Sequence, residues 1–509
     1  MTVGTLFEQS IAAEFPHDFT PHQREAVAEI GSFLADPRND RAFVLRGYAG
    51  TGKTSLVSAV VRVWRRLQRP VVLLAPTGRA AKVFSLHAGM PAHTIHRVIY
   101  RQKSFEGEDT QFDRGWNPAK SALFIVDEAS MVANNGGNSL FGTGRLLDDL
   151  IQYIYSGESC RLMMVGDTAQ LPPVGEEESP ALQKSVLESY GLHVRLCELT
   201  DVVRQASASA VLRNATRLRC QIGTLSGAPL PADEDFDLDR YVNADGMPLI
   251  EVAKGTETQL MPGDELIDAL EQSYREWGTS DTIVVTRTNK RANIFNNGIR
   301  SRILEREDVL ERGDLVMAVK NNYYWTVKAA ESLPEGERVP MAFIANGDTA
   351  EVVRFRNVHE MHGFTFADAT LRFGDYDNWE MECRILLDTL QSEAPALTRE
   401  EAARLYESVY ADYADIANKR ERMKAIRQDA YYNALQIKYA YAVTCHKAQG
   451  GQWHEVYVDQ GYIPEDMDPV AYLRWLYTAF TRTSDKLYLV NWPKEIGRAS
   501  CRERVLRLV

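Results

Sequence analysis

The sequence is poor in cysteine and has no long apolar run. Only six of its 509 residues are cysteines, and no two have the C-x-x-C spacing of a zinc site, so reduced thiols are expected. No apolar run approaches the roughly 18 residues of a membrane-spanning helix, and the N-terminus lacks a signal-peptide pattern. These absences predict a cytoplasmic protein and argue against a disulfide framework, a zinc site and a membrane span.

Positive charge is scarce as well, since the formal net charge at pH 7 is −12. This argues against a generally basic coat protein, but not against a local basic groove, because phosphate binding depends on where Lys and Arg gather. Neither an internal repeat nor a long low-complexity linker is present. Hydrophobic residues make up 45% of the chain, and its length suggests roughly three or four domains with sizeable cores.

The most informative segment is a glycine-rich turn between a short apolar run and a helical run. Gly47-x-x-x-x-Gly52-Lys53-Thr54 fits the phosphate-loop pattern G-x-x-x-x-G-K-[ST] in its required context. Glycines let successive N–H groups point at phosphate oxygens, and the helix N-terminus adds favourable partial charge. Lys53 is expected to reach the outer phosphates and the Thr54 hydroxyl to hold Mg²⁺. A glycine-rich turn without a ligand is the alternative.

A glutamine upstream of this turn is a second candidate for nucleotide binding. Thr20 before Pro21 predicts a helix start, which puts the Gln23 amide in the first turn, where it could read a flat heterocycle. An ordinary surface glutamine is the other interpretation. The predicted nucleotide-binding residues are Gln23, Gly47, Tyr48, Ala49, Gly50, Thr51, Gly52, Lys53, Thr54 and Ser55.

Two adjacent carboxylates follow the buried run 122–126. Asp127 is placed to hold Mg²⁺, and Glu128 to polarise the attacking water, because hydrolysis needs a positioned base near the γ-phosphate. Beyond a third predicted strand, Gln170 could sense the γ-phosphate, whereas Asp167 is also explained as a turn residue.

Two arginines are candidates for a positive charge brought to the γ-phosphate. Arg482 ends a predicted helix, and Arg204 lies in Leu199-Thr-Asp-Val-Val-Arg204-Gln205. Such arginine fingers can be worth ~10³–10⁵ in rate. The predicted catalytic residues are Lys53, Asp127, Glu128, Gln170, Arg204 and Arg482, and the predicted metal ligands are Thr54 and Asp127.

Other segments complete the organisation. Arg79 and Lys82 follow the strand 70–76 and could meet phosphates, although an ordinary helix start explains them too. His93 and His96 have no third metal ligand nearby, which disfavours a metal site. Residues 100–120 predict a small hairpin or loop, residues 313–390 a small antiparallel barrel, and residues 398–435 helix. The run Lys438–Thr444 predicts one further strand.

In this order the segments resemble the signature motifs of superfamily 1 helicases, most closely the RecD-like and Dda-like DNA helicases of the 5′→3′ branch. The resemblance extends from Gln23 to Arg482, and its most specific strings are Gly166-Asp-x-x-Gln-Leu-Pro-Pro-Val174 and Thr444-Cys-His-Lys-Ala-Gln-Gly450. It implies an α/β fold with two RecA-like domains, parallel sheets flanked by helices, a hairpin insertion and an SH3-like β-barrel insertion. The expected boundaries are 1–199 for domain 1A with the hairpin 1B at 100–120, 200–312 and 436–494 for domain 2A, and 313–435 for the barrel and helices of 2B.

The same resemblance implies an ATP hydrolase that uses Mg²⁺, moves 5′→3′ on single-stranded DNA and separates duplex at single-strand/double-strand junctions. A monomer with replication or recombination partners and no membrane contact is expected. Alternatives are a motor subunit of a recombination nuclease, an ATP-gated nucleic-acid clamp and a translocase without strand separation. The implied nucleic-acid-binding residues are Thr77, Arg79, Lys82, His96, Thr444, His446 and Lys447.

The segment 495–509 fits no element of this plan. Its residues, including Gly497-Arg-Ala-Ser-Cys501, resemble a translated sequencing adapter. We therefore expect a non-native tail there, and an independently sequenced 3′ end of the gene with the same codons would contradict this.

Overall fold

The computed structural model describes residues 2–102, 112–135, 143–203, 209–227, 242, 248–252, 256–334, 337, 339–341, 343–464 and 466–492. Arg204, residues 103–111 of the predicted hairpin and the predicted tail 495–509 lie outside these ranges.

The first domain is built on a six-stranded parallel sheet in the order β3-β2-β6-β7-β1-β8. Its central strands are fully buried apolar runs, as expected where helices cover both faces of a parallel sheet. The strands are β1 (Arg41–Gly47), β2 (Val71–Ala75), β3 (Ala92–Thr94), β6 (Leu123–Val126), β7 (Arg161–Gly166) and β8 (His193–Leu199).

Seven helices in the described part of the chain flank this sheet. The second starts at a capping box in which Thr20 and Gln23 satisfy each other's backbone N–H groups, with Pro21 in the first turn, an arrangement that fixes a helix start. On one face Trp64 is fully buried and stacks on Phe7 at 6.0 Å. The helices are α1 (Val3–Glu14), α2 (Pro21–Ala35), α3 (Lys53–Arg66), α4 (Gly78–Ala88), α5 (Ile95–Ile99), α6 (Leu146–Tyr155) and α7 (Lys184–Glu188).

The predicted hairpin is present at the edge of this domain. Strands β4 (Tyr100–Gln102) and β5 (Phe112–Arg114) pair antiparallel, with Tyr100 opposite Arg114. Trp116, just beyond β5, is 70% exposed.

The second domain contains a five-stranded parallel sheet in the order β16-β10-β17-β18-β9. The strands are β9 (Thr258–Met261), β10 (Thr282–Thr286), β16 (Ala442–Thr444), β17 (Trp453–Asp459) and β18 (Thr483–Val490). Packed around them are the helices α8 (Ala210–Ser226), α9 (Leu266–Trp277), α10 (Asn289–Arg302), α14 (Cys445–Ala448) and α15 (Pro469–Phe480).

Five strands that lie in the sequence between β10 and β16 of the second domain close into a barrel. They are β11 (Leu315–Ala318), β12 (Thr349–Met361), β13 (Phe364–Phe373), β14 (Trp379–Leu386) and β15 (Leu435–Tyr439). The neighbouring helices are α11 (Tyr324–Glu331), α12 (Arg399–Asp412) and α13 (Lys419–Arg427). The predicted fold class is therefore confirmed. Within the described ranges, no helix is both long enough and apolar enough to cross a membrane.

One strand prediction is wrong, because the run Lys438–Thr444 forms parts of two strands. Its first residues belong to β15, which closes the barrel against β11, and its last residues form β16, which pairs with β10. The chain changes sheets at Tyr441, whose hydroxyl donates to the fully buried Asp314 at 3.0 Å. Asn296 then exchanges two hydrogen bonds with the backbone of Ala442.

A buried carboxyl before β12 predicts a pH dependence of stability. Burial raises the pKa of Asp348 from 3.8 to about 7, although Ala345 N–H donates to it at 2.7 Å. Between about pH 4 and pH 7 the folded protein holds a proton that the unfolded chain has released, so stability falls as the pH rises and the loss is complete once the pH has passed through 7. Between pH 6 and 8.5 we expect the free energy of unfolding to fall by roughly 1.4 kcal/mol more in wild type than in Asp348→Asn. Urea titrations at both pH values measure this, and equal losses would contradict it.

Candidate functional site

The candidate residues gather at the carboxyl edge of the first sheet, on the side that faces the second domain. The phosphate loop follows β1, Asp127 follows β6, and Asp167 follows β7. These three strands are neighbours, since β7 pairs with both β1 and β6. Crevices at this edge are where open α/β sheets bind ligands.

The phosphate loop has the backbone that its glycines permit. Gly50 and Gly52 have φ values of 76° and 81°, in the left-handed region that glycine adopts without strain. A Cβ on Gly52 would lie 2.6 Å from Gln23 Nε2. Lys53 Nζ donates to the carbonyls of Gly47 at 2.6 Å and Tyr48 at 2.8 Å. In this structure the lysine of the phosphate loop therefore donates to carbonyl groups of the loop itself.

The Gln23 amide makes two hydrogen bonds within the chain in this structure, and its predicted contact with a base stays a prediction. Its Oε1 accepts from Thr20 N–H at 3.0 Å, and its Nε2 donates to Thr51 O at 2.9 Å. The side chain is 1% exposed. In this arrangement the amide supports the phosphate loop from behind instead of presenting itself to a base, because the capping box holds its oxygen.

The two adjacent carboxylates differ in environment. Loss of solvent, followed by the charge of Glu128, raises the pKa of Asp127 to about 7. Glu128 has a φ of 51°, a left-handed conformation that is uncommon outside glycine and clusters at functional sites. This turn lets two consecutive carboxylates leave the end of one strand in different directions.

Glu128 meets the predicted arginine finger across the cleft. Arg482 Nη1 lies 4.0 Å from Glu128 Oε1, and Arg482 is 3% exposed. The guanidinium is held by Thr478 O at 3.0 Å and Gly451 O at 3.3 Å. Gln170 is also buried in the first domain, and its Oε1 has no hydrogen-bond partner among the described residues. Arg204 cannot be compared with Arg482, since it lies outside the described ranges.

A tyrosine that the sequence analysis did not select completes this cleft. The hydroxyl of Tyr477 accepts from Ala49 N–H at 2.8 Å and donates to Asp167 Oδ2 at 2.6 Å. The same carboxyl oxygen is 4.0 Å from Lys53 Nζ. Burial and Asp167 raise the pKa of Tyr477 well above its ordinary value, which keeps the phenol protonated as a donor. Its position five residues before Arg482, in the helix predicted to end at that arginine, was the available signal.

The loop after β7 has further contacts with the second domain. Leu171 N–H donates to Thr478 Oγ1 at 2.9 Å, and Leu171 O accepts from Gln449 Nε2 at 2.7 Å. Gln449 lies in the string Thr444–Gly450, in which the sequence analysis had selected other residues. The cleft is therefore bridged at several points next to the phosphate loop.

The site fits a magnesium–nucleoside triphosphate. Gln170 Oε1 and Ser130 Oγ are buried polar atoms without partners in the described part of the chain, and such atoms usually mark a missing ligand or water. Thr54 and Asp127 supply the oxygen ligands that Mg²⁺ prefers. Among the described residues, no three His, Cys, Asp or Glu side chains are grouped to hold a metal on their own, so water and phosphate oxygens would complete its shell.

Two of the predicted nucleic-acid-binding residues connect domains in this structure. Arg79 Nη2 donates to Gln452 O at 2.9 Å, and its guanidinium lies 4.0 Å from the Trp453 ring. Lys82 Nζ donates to Gly374 O at 3.0 Å and is 3.2 Å from Asp375 Oδ1. Sequence could not show that the second domain and the barrel approach α4 so closely.

Two more of the predicted nucleic-acid-binding residues lie at the start of α4 and within α5. His96 packs against Tyr100 and Phe343, and burial lowers its pKa to about 4. Thr77 caps α4, and its Oγ1 would lie 3.2 Å from a Cβ on Gly450.

The segment after β16 carries the remaining three of these residues. Thr444 precedes α14, His446 is exposed, and Lys447 Nζ donates to Asn346 Oδ1. Burial lowers the pKa of Lys447 to about 8, so its ammonium group stays mostly charged at pH 7.

Comparisons with known proteins match both halves of this architecture. Family models described as an AAA domain and a UvrD-like helicase C-terminal domain match residues 18–223 and 439–490. The ATP-dependent RecD2 DNA helicase of Deinococcus radiodurans is 25% identical over 94% of this chain, which spans 51% of that relative. The ATP-dependent DNA helicase Dda of Enterobacteria phage T4 is 22% identical over 82% of this chain and 90% of its own.

Among solved structures, a Pif1 helicase from Bacteroides in complex with ADP-AlF3 and ssDNA covers 94% of this chain and 94% of its own. Its TM-score is 0.45 and its sequence identity 14%. The family models and the two relatives confirm the predicted resemblance to RecD-like and Dda-like helicases. The chain spans about half the length of the RecD2 relative.

Proposed function

We propose that the protein is an ATP-dependent DNA helicase that moves 5′→3′ on single-stranded DNA and separates duplex. One observation carries this proposal: residues of two RecA-like domains meet in one cleft, where Arg482 of the second lies 4.0 Å from Glu128 of the first. An enzyme that only transferred a phosphoryl group would not need a nucleotide site formed by residues of two RecA-like domains. The two relatives, both named as DNA helicases, support DNA as the substrate.

Hydrolysis of bound ATP would supply the free energy, and Mg²⁺ would neutralise the phosphate charge. For the chain's own residues we assign Lys53 to the outer phosphates, Thr54 and Asp127 to the metal, and Glu128 to the attacking water. Gln170 would detect the γ-phosphate by donating a hydrogen bond from its amide nitrogen, because its amide oxygen can only accept. Arg482 would add positive charge from the second domain, so the site is complete only when the cleft is closed.

Movement follows if cleft closure changes the grip on DNA. Thr77 in the first domain and Gly450 in the second approach each other across the cleft, since a Cβ on Gly450 would lie 3.2 Å from Thr77 Oγ1. Thr444, His446 and Lys447 lie in the segment just before Gly450, and we propose that they hold the DNA backbone without reading its sequence. Arg79 and Lys82 join them when the contacts with Gln452 and Asp375 open.

The proposal is tested with duplexes that carry a 5′ tail, a 3′ tail or no tail. We expect ATP-dependent strand separation of the 5′-tailed duplex alone, because a motor with one direction approaches a junction from one side only. Lys53→Ala is the control and should not separate it, since the phosphate loop loses its cation. Strand separation from the 3′ tail would contradict the direction.

Two further outcomes would favour the alternatives. DNA-stimulated hydrolysis without strand separation indicates a translocase, or a motor subunit that needs its partner. DNA binding that depends on ATP without hydrolysis indicates a clamp. A replication or recombination partner, a monomeric state and a cytoplasmic location remain part of the proposal, and sedimentation with and without DNA tests the oligomeric state.

A further inference from the structure

The Tyr477 hydroxyl connects the second domain directly to the phosphate loop by a hydrogen bond. It lies at the centre of a chain of polar contacts from Ala49 N–H through Tyr477 to Asp167 and on to Lys53. Tyr477 itself is fully buried. A buried phenol that makes both of its hydrogen bonds across a domain boundary is strongly specified in position.

The rest of α15 shows that this contact is directed rather than a by-product of packing. One residue further on, Thr478 Oγ1 accepts from Leu171 N–H at 2.9 Å, so two consecutive side chains hold two different loops of the first domain. Tyr472, earlier on the same helix, instead donates to Gln460 Oε1 at 2.8 Å within the second domain. Only part of the helix therefore faces the nucleotide side.

Ala49 N–H belongs to the loop that must wrap phosphate, and in this structure its partner is supplied by the other domain. Opening the cleft would leave Ala49 N–H, Asp167 and the phenol without these partners. A change in the phosphate loop would conversely remove the N–H donor that holds the phenol oxygen. The two events are linked through one hydroxyl group.

We propose that Tyr477 is a positioning residue that couples the conformation of the phosphate loop to closure of the cleft between the two domains. This inference rests on the proposed function, which it deepens by naming the residue that joins nucleotide site and motor movement. Tyr477 acts through Ala49 and Asp167 and performs no step of the hydrolysis itself.

The first test uses neither nucleotide nor DNA. In Tyr477→Phe the ring still fills its place, but Ala49 N–H loses its acceptor. We expect amide hydrogen exchange in the loop peptide that contains Ala49 to become about tenfold faster. Tyr472→Phe, the matched control on the same helix, should leave that exchange unchanged within about twofold. Equal exchange in wild type and Tyr477→Phe would overturn the inference.

The second test separates coupling from nucleotide binding. We expect kcat for DNA-stimulated ATP hydrolysis to fall about tenfold in Tyr477→Phe, with the Kd for ADP changed less than about twofold. Parallel losses of kcat and ADP affinity, or the same loss in Tyr472→Phe, would show a merely structural role. If wild type hydrolyses no ATP with DNA, the proposed function fails, and the exchange experiment still decides the inference.

Discussion

Replacing Arg482 with lysine is expected to lower kcat for DNA-stimulated ATP hydrolysis about 10³-fold. Lysine keeps the charge but not the planar fork, and the fork is what holds Arg482 in place: Nε donates to Thr478 O at 3.0 Å and Nη1 to Gly451 O at 3.3 Å. A lysine has one compact ammonium group, so it cannot donate to both of these carbonyls and also lie 4.0 Å from Glu128. Steady-state hydrolysis with saturating single-stranded DNA measures the effect.

Arg474→Lys is the matched control for this prediction. Arg474 lies on α15, whereas Arg482 follows the end of that helix. Arg474 donates across the cleft to Glu177 O at 2.6 Å, so it shares the domain boundary with Arg482 but not the contact with Glu128. We expect its kcat within about threefold of wild type. An Arg482→Lys protein with intact ADP binding and a kcat reduced less than tenfold would argue that Arg482 is not the arginine finger.

The parts of this site that sequence could predict are those encoded in short contiguous segments. The phosphate loop is the clearest, because the glycines, Lys53 and Thr54 are fixed by one turn of backbone between a strand and a helix. Asp127 and Glu128 were found for the same reason, since two polar residues end an apolar run. Such signals depend on local geometry and survive without knowledge of the tertiary structure.

The parts that sequence missed depend on distances between segments far apart in the chain. Tyr477 is 428 positions from Ala49, and nothing local distinguishes a tyrosine in a core from one that reaches another domain. The sequence gives no sign that Lys82 has an acidic partner, but in the structure the barrel places Asp375 beside it. The contact of Gln23 with the phosphate loop was likewise hidden, because the sequence signature of a capping box is the same whatever the Nε2 atom of the glutamine contacts.

The division of Lys438–Thr444 into two strands has a similar cause. The run is apolar enough to be buried in either sheet, and its composition does not mark the point of change. That point is set by Asp314, which is buried with Arg300 at 3.0 Å and accepts from Tyr441. A buried ion pair needs further hydrogen bonds around it. Tyr441 supplies one of them, and it lies between the end of β15 and the start of β16.

Glu128→Gln is expected to separate nucleotide binding from hydrolysis. Glutamine has the shape of glutamate and can occupy the same left-handed backbone, but it cannot accept a proton from water. We expect kcat to fall about 10²–10⁴-fold, as for loss of a general base, while ATP affinity stays within about threefold. Pre-steady-state measurement of bound, unhydrolysed ATP would show both effects in one experiment.

The structure offers a close control for this substitution. Glu198 also lies beside the phosphate loop, where its Oε1 accepts from the Tyr48 hydroxyl at 2.8 Å, and glutamine can accept the same bond. Glu198→Gln should therefore hydrolyse ATP at nearly the wild-type rate, so a loss confined to Glu128→Gln cannot be attributed to charge near the loop. If Glu128→Gln hydrolyses ATP within about fivefold of wild type, the water is positioned by another group. In that case the strained φ of 51° at Glu128 serves to place its carboxylate against Arg482, and the two residues act in cleft closure instead of chemistry.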